Sequence, residues 1–200
     1  PVLVNVSLVN NNSRTGGGGM FNGKGSKTIM INNLIACNYT DGEGGGVLNE
    51  DAGCTMINTT VSGNFAEKAA GLRNRYNSGP TLINLANSIV WGNNIWPRNA
   101  LFLTRDNIIN DLNNRNCVIN IAYSFIERNT PSWPAEYGRN LGYNVDGDPG
   151  FVDYRYVTSR GSGILWDYHQ TLNSGALNRG HNGFHNYRYY SDWPPRIPQG

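Results

Sequence analysis

The stretch GGGVLNE, Gly44 to Glu50, places three glycines directly before two apolar residues and an asparagine. Glycine loses more conformational freedom on ordering than any other residue, so three in a row before a segment fit for burial need a structural reason. The arrangement recurs upstream as GGGMFN, Gly17 to Asn22, and downstream as AGLRN, Ala70 to Asn74. The asparagines of these stretches, Asn22, Asn49 and Asn74, lie 27 and 25 residues apart. A phosphate-cradling loop would need a helix to follow, and strand-like residues follow here. Gly46 and its neighbours therefore read as the corner of a repeating unit, with Val47 turning into a core and Asn49 stacked between Asn22 and Asn74.

A second marker keeps the same period. NVSLVNN, NNLIACN, NTTVSGN and NSIVWGN begin at Asn5, Asn32, Asn58 and Asn87, at intervals of 27, 26 and 29 residues. Each starts and ends on asparagine around an apolar centre. The surrounding stretches, such as TIMINNLIACN and TLINLANSIVWGN, place apolar residues at about every second position, the period of a strand with one buried face. A period in the twenties built from short strands signals a solenoid. The regular leucines and helical half of a leucine-rich repeat are missing. The expected fold is all-β, a right-handed parallel β-helix of about 26-residue coils, each with two or three short strands. Stacking would superpose Asn32, Asn58 and Asn87. Two readings stay open for them: a buried ladder of side-chain amides, or turn residues with solvent-facing side chains.

Composition agrees with this class. The chain has 200 residues, room for one domain with a real core. Its 31 asparagines and 25 glycines favour turns over helices. Aromatics make up 11% of the chain and, with regularly spaced aliphatics, supply enough apolar surface to oppose disorder. A net charge of +2 with 15% charged residues gives no electrostatic case for nucleic acid or an anionic membrane. No apolar run reaches the roughly 18 residues needed to span a bilayer. Cys37, Cys54 and Cys117 are odd in number and lack metal-type spacing, so they read as free, buried thiols.

The alternation of GGG-apolar-x-Asn with Asn-x-x-apolar-x-Gly-Asn resembles the parallel β-helix surface proteins of Bacteroidetes-type bacteria, whose fold is related to pectate lyases and polymorphic outer-membrane proteins. AYSFIERN (Ala122 to Asn129), GYNVDGDPGFVD (Gly142 to Asp153), NSGALNRGHN (Asn173 to Asn182) and SDWPPRIPQG (Ser191 to Gly200) are similar, in order, to the choice-of-anchor Q module of secreted or surface-anchored β-helix proteins. Gly175 stands where that family has proline, and Arg179 where a small residue is common. The family's closing strand and anchor would follow Gly200, so the chain is expected to be part of a longer one. The resemblance implies a secreted or outer-membrane surface location. It also implies a structural role for the Asp148-Pro149 turn, with Phe151 and Val152 entering the core.

Chemistry-bearing residues are sparse. Asp146, Asp148 and Asp153 lack the ligand spacing of an EF-hand. His181 and His185 would share a face only on a helix, which Asn182 and Gly183 disfavour. His169 lies near Asp167 without a nucleophile elbow, and the lysines and arginines are scattered. No catalytic residue, metal or cofactor is implied. Aromatics concentrate in the second half, and Trp133, Trp166, Trp193 and Tyr189 are the candidate glycan-stacking residues, with capping of the solenoid end as the competing role.

The expected organisation is one domain. Residues 1–154 form the coils, with an irregular excursion at about 98–117, and residues 155–200 form a loop-rich closing segment. The expected function is a non-catalytic, structural or adhesive module that binds a glycan or another surface protein. The alternative is a polysaccharide lyase or glycoside hydrolase. A cluster of three or more carboxylates, or Lys or Arg beside carboxylates, on the exposed face of adjacent coils would favour the enzyme.

Overall fold

The computed structural model describes residues 1–95, 104–153, 167–177 and 180. The chain winds as a parallel β-solenoid. The first coil carries β1 (Val2–Val4), β2 (Ser7–Val9), β3 (Asn12–Ser13) and β4 (Met20–Asn22). The second repeats this as β5 (Lys27–Ile31), β6 (Leu34–Ala36), β7 (Tyr39–Thr40) and β8 (Val47–Glu50), and the third as β9 (Gly53–Ile57), β10 (Thr60–Ser62), β11 (Phe65–Ala66) and β12 (Leu72–Arg75). A fourth coil holds β13 (Thr81–Ala86), β14 (Ile89–Trp91), β15 (Asn94–Ile95), β16 (Thr104–Arg105) and β17 (Ile108–Asn110). β18 (Cys117–Ala122) and β19 (Phe125–Ile126) begin a fifth. β20 (Arg139–Asn140), β21 (Phe151–Asp153) and β22 (Asp167–Gln170) complete the described strands.

Equivalent strands pair into four sheets, with orders β1-β5-β9-β13-β18-β20, β2-β6-β10-β14-β19, β3-β7-β11-β15-β16 and β4-β8-β12-β17. All pairs are parallel except β15 with β16. β21 and β22 form a separate antiparallel hairpin. Each regular coil has four strands where two or three were expected. The extra one is the two-residue β3, β7 or β11, too short to show alternation. β17 regains register with β12 at Leu72↔Ile108, inside the span expected to be irregular.

Register stacks like on like. Leu3, Met30, Met56, Leu85 and Ile121 form one inward column. Leu8, Ile35, Val61, Val90 and Ile126 form a second, and Met20, Val47, Leu72 and Ile108 a third. From the second coil onward every member is fully buried, each worth about 1.5–3 kcal/mol of apolar transfer. Leu3, Leu8 and Met20 are only partly buried because the first coil has a neighbour on one side. Cys37, Cys54 and Cys117 are free and buried, and burial pushes the Cys54 thiol up to about 12.

The glycine corner has two physical requirements. Gly44 adopts φ +73°, and a Cβ on Gly46 would sit 2.6 Å from the Gly71 carbonyl oxygen of the next coil. Val47 is buried, and Asn49 pairs with Asn22 on one side and Asn74 on the other.

The asparagines divide into two kinds. Asn5, Asn32, Asn58 and Asn87 take left-handed φ of 56°, 54°, 50° and 49° at one corner, where Asn tolerates that conformation. Asn32 is exposed and Asn58 half-buried. The turn reading therefore holds for this column in place of the buried ladder. Buried ladders run elsewhere. One links Asn11, Asn38, Asn64, Asn93 and Asn107, the first four being the final asparagines of the repeated segments. In it each residue donates both its backbone N–H and its Nδ2 to the next Oδ1, at 2.8–3.2 Å. Glu127 terminates this ladder, accepting from Asn107 Nδ2 at 2.8 Å. The second links Asn22, Asn49, Asn74 and Asn110 through Nδ2 to Oδ1 bonds of 2.6–2.9 Å.

Near the far end, Asp148 accepts from Gly150 N–H in a turn and Phe151 is buried. Val152 is 54% exposed, contrary to its expected burial, because strand alternation turns it away from Phe151.

Candidate ligand-binding groove

The outward face of the six-stranded sheet is built from the residues that alternate with the core. Lys27, Gly53, Leu82 and Val118 form one outward column. Ile29, Thr55, Asn84, Asn120 and Arg139 form the next. Asn120 Nδ2 donates to Asn84 Oδ1 at 2.9 Å. Corner loops raise a wall beside the first column, and with that column, Asn120 and Arg139 they line an open groove of about 690 Å³. From β5 to β18 it crosses three strand spacings, roughly 14 Å.

Among the described residues, four exposed cations line this groove: Lys24, Lys27, Arg115 and Arg139. Among the described lining residues the carboxylate is Asp51, which is buried and occupied. It accepts from the backbone N–H groups of Asn77, Ser78 and Gly79 and from Ser78 Oγ, at 2.8–3.0 Å. Burial opposes its ionisation, but these donors outweigh burial and hold its carboxyl far below the usual range. Lys24 Nζ donates to Ser78 Oγ at 3.1 Å, which holds one cation on the rim. The groove therefore offers an apolar strip of Gly53, Leu82 and Val118 flanked by positive charge. Lysines and arginines that look scattered in sequence converge here because four coils contribute to one surface.

A second charged cluster has different chemistry. On the outward face of the β8–β12 sheet, Arg73 Nε meets Glu43 Oε2 at 2.7 Å and its Nη2 meets Asp111 Oδ1 at 2.5 Å. Arg75 pairs with Glu50 at 2.5 Å, and Lys68 with Glu43 at 3.5 Å. Burial penalises the Glu43 charge, yet Arg73, Lys68 and Arg75 overcome it and keep the carboxyl below its ordinary value. Asp106 behaves oppositely: burial raises it, although Ala69 N–H donates to it at 3.1 Å. Glu43, Glu50 and Asp111 are thus engaged with cations across coils, and Asp106 is the carboxyl displaced upward.

The aromatic candidates part ways. Trp133 is half-buried, packs edge-on to Tyr137 at 6.0 Å and donates its indole N–H to Gly138 O at 2.8 Å. Its ring packs against the main core cluster. Trp166, Trp193, Tyr189, His181 and His185 lie outside the described residues. Tyr143, not singled out in the sequence, is 63% exposed and stacks on Tyr123 at 4.7 Å.

Asp146 accepts from the neighbouring Gly147 N–H and from the backbone N–H groups of Arg128 and Thr130, which precede β20. Among the described residues, no group of three or more His, Cys, Asp or Glu is placed to hold a metal ion. No described helix is long and apolar enough to cross a membrane. Compared with protein-family models, curated proteins and solved structures, the chain matches none.

Proposed function

We propose that the chain is a non-catalytic module of a secreted or cell-surface protein, and that it holds an acidic glycan in the cationic groove of the six-stranded sheet. One observation carries this reading: Lys24, Lys27, Arg115 and Arg139 line a single groove whose described carboxylate, Asp51, is consumed by the corner loop of the next coil. The apolar strip between the cations suits the C–H face of sugar rings, and lysine and arginine suit carboxylate or sulfate groups. The first test is a screen of acidic and neutral polysaccharides, scoring binding and product release on the same sample. Retention of an acidic polysaccharide without new chain ends supports the reading. Failure of every acidic polysaccharide to bind refutes it.

A second reading, a β-helix polysaccharide lyase or glycoside hydrolase, is favoured by the other cluster. There Arg73, Arg75 and Lys68 stand beside carboxylates on adjacent coils, and Asp106 has a raised carboxyl pKa suited to proton transfer. Product release that disappears in Asp106→Asn would replace the first reading with this one.

A further inference from the structure

A second groove runs along a different side of the solenoid, with a volume of about 650 Å³, inside the usual size of small-ligand sites. One wall is the corner where Asn5, Asn32 and Asn58 stack in left-handed conformation. Asn32 Nδ2 donates to Asn5 Oδ1 at 2.6 Å, which aligns the two amides along the solenoid axis. Asn58 makes no side-chain hydrogen bond to another described residue. The floor is the outward column Ser7, Leu34 and Thr60, a hydroxyl on either side of an apolar residue. β22 supplies the opposite wall. Tyr168 anchors that strand, packing on Ala36 and Cys37 and edge-on to Phe151 at 5.1 Å. Asp167 and His169 flank it, joined by a 2.6 Å contact between Asp167 Oδ1 and His169 Nδ1.

The groove thus combines primary amides at coil spacing, two hydroxyls, a carboxylate and an imidazole, and among the described residues its lining carries no lysine or arginine. Amides and carboxylates bond vicinal hydroxyl groups well, because each offers paired donor or acceptor atoms in one plane. An apolar floor residue suits the C–H face of a sugar ring. Among the described lining residues, no lysine or arginine compensates an anionic ligand beside Asp167.

We propose that this groove is a separate binding site for a neutral oligosaccharide lying along the solenoid axis, with Asn32 and Asn58 on one side and Asp167 on the other. It is independent of the acidic-glycan reading, which uses a different sheet and different residues.

Isothermal titration of the full chain with short fragments of cellulose, xylan, mannan and amylose tests it. At least one fragment is expected to bind. Asp167→Asn, and the pair Asn32→Gly with Asn58→Gly, should each weaken that binding about tenfold or more, the size of one lost hydrogen bond to a charged or well-aligned group. Glycine accepts the left-handed turn, so the pair removes amides while leaving the corner intact. Asp167 is a surface side chain, so its variant stays folded even if the glycine pair does not. Lys27→Ala should leave neutral-sugar binding unchanged. Absence of binding to every fragment overturns the proposal, as does binding that Asp167→Asn leaves intact.

Discussion

Replacing Asn64 with alanine tests the interior amide ladder more sharply than any other single change. Asn64 is fully buried and uses its whole hydrogen-bonding capacity. Its Oδ1 accepts from Asn38 N and Nδ2 at 3.0 and 2.9 Å, while its Nδ2 donates to Ile35 O and Asn93 Oδ1, both at 2.9 Å. Asn93 Oδ1 would keep the backbone N–H of residue 64 as a donor. The backbone N–H of Asn38 and one of its amide hydrogens would not be so compensated, whereas the Ile35 carbonyl keeps the Ser62 N–H that the parallel register places on it. Each buried group left without a partner costs about 1–3 kcal/mol. Water admitted to the small cavity returns part of that, so the expected loss is about 4 kcal/mol. That is a large share of the 5–15 kcal/mol typical of a folded domain. Chemical denaturation followed by circular dichroism reads it directly as a lower midpoint at unchanged slope. A loss under about 1 kcal/mol would refute the claim that these amides bind coil to coil.

The exposed corner should respond differently: Asn58→Gly is expected to cost less than about 1 kcal/mol and Asn58→Val about 2 kcal/mol, because only the β-branched residue resists left-handed φ; thermal melts rank the two. Gly46→Ala drives a Cβ against the Gly71 carbonyl and should cost about 3 kcal/mol. Gly25→Ala, at φ +77° in open space, should cost only the strain of about 1 kcal/mol, read by the same melts. The folded Glu43 carboxyl lies below its ordinary value, so its contribution is present above that ordinary value and is lost as pH falls past it and through the lower folded one. Glu43→Gln should therefore flatten the acid limb of a stability-against-pH curve, and an unchanged limb would assign acid sensitivity elsewhere.

The solenoid was legible because burial constrains the inward columns identically in every coil. Met30, Met56 and Leu85 face the same interior, so their spacing repeats. The glycine corner was legible for the same reason, since Gly46 must clear the coil beside it. The location of the ladder was not. The first and last asparagines of NTTVSGN carry the same letter, and only backbone conformation separates left-handed Asn58 from buried Asn64. The grooves were harder still. Outward positions are free of packing, so Lys27, Gly53, Leu82 and Val118 share a column without sharing chemistry. Arg139 joins Lys27 only through the pairing of β18 with β20, a contact that no period announces. Aligning outward positions coil by coil would have gathered Lys27 with its column, but not the corner-loop cations Lys24 and Arg115.

The most direct measurement is the affinity of Lys27→Ala/Arg139→Ala for the acidic polysaccharide that the intact chain retains. Isothermal titration should be run at low and high salt, with reducing ends assayed in the same cell. A cationic groove that binds without cleaving predicts at least a tenfold loss in the double variant, about 1.4 kcal/mol. It also predicts weaker binding by the intact chain as salt rises, and no new ends in either protein. Affinity untouched by removal of both cations would contradict it, and so would the appearance of cleavage products.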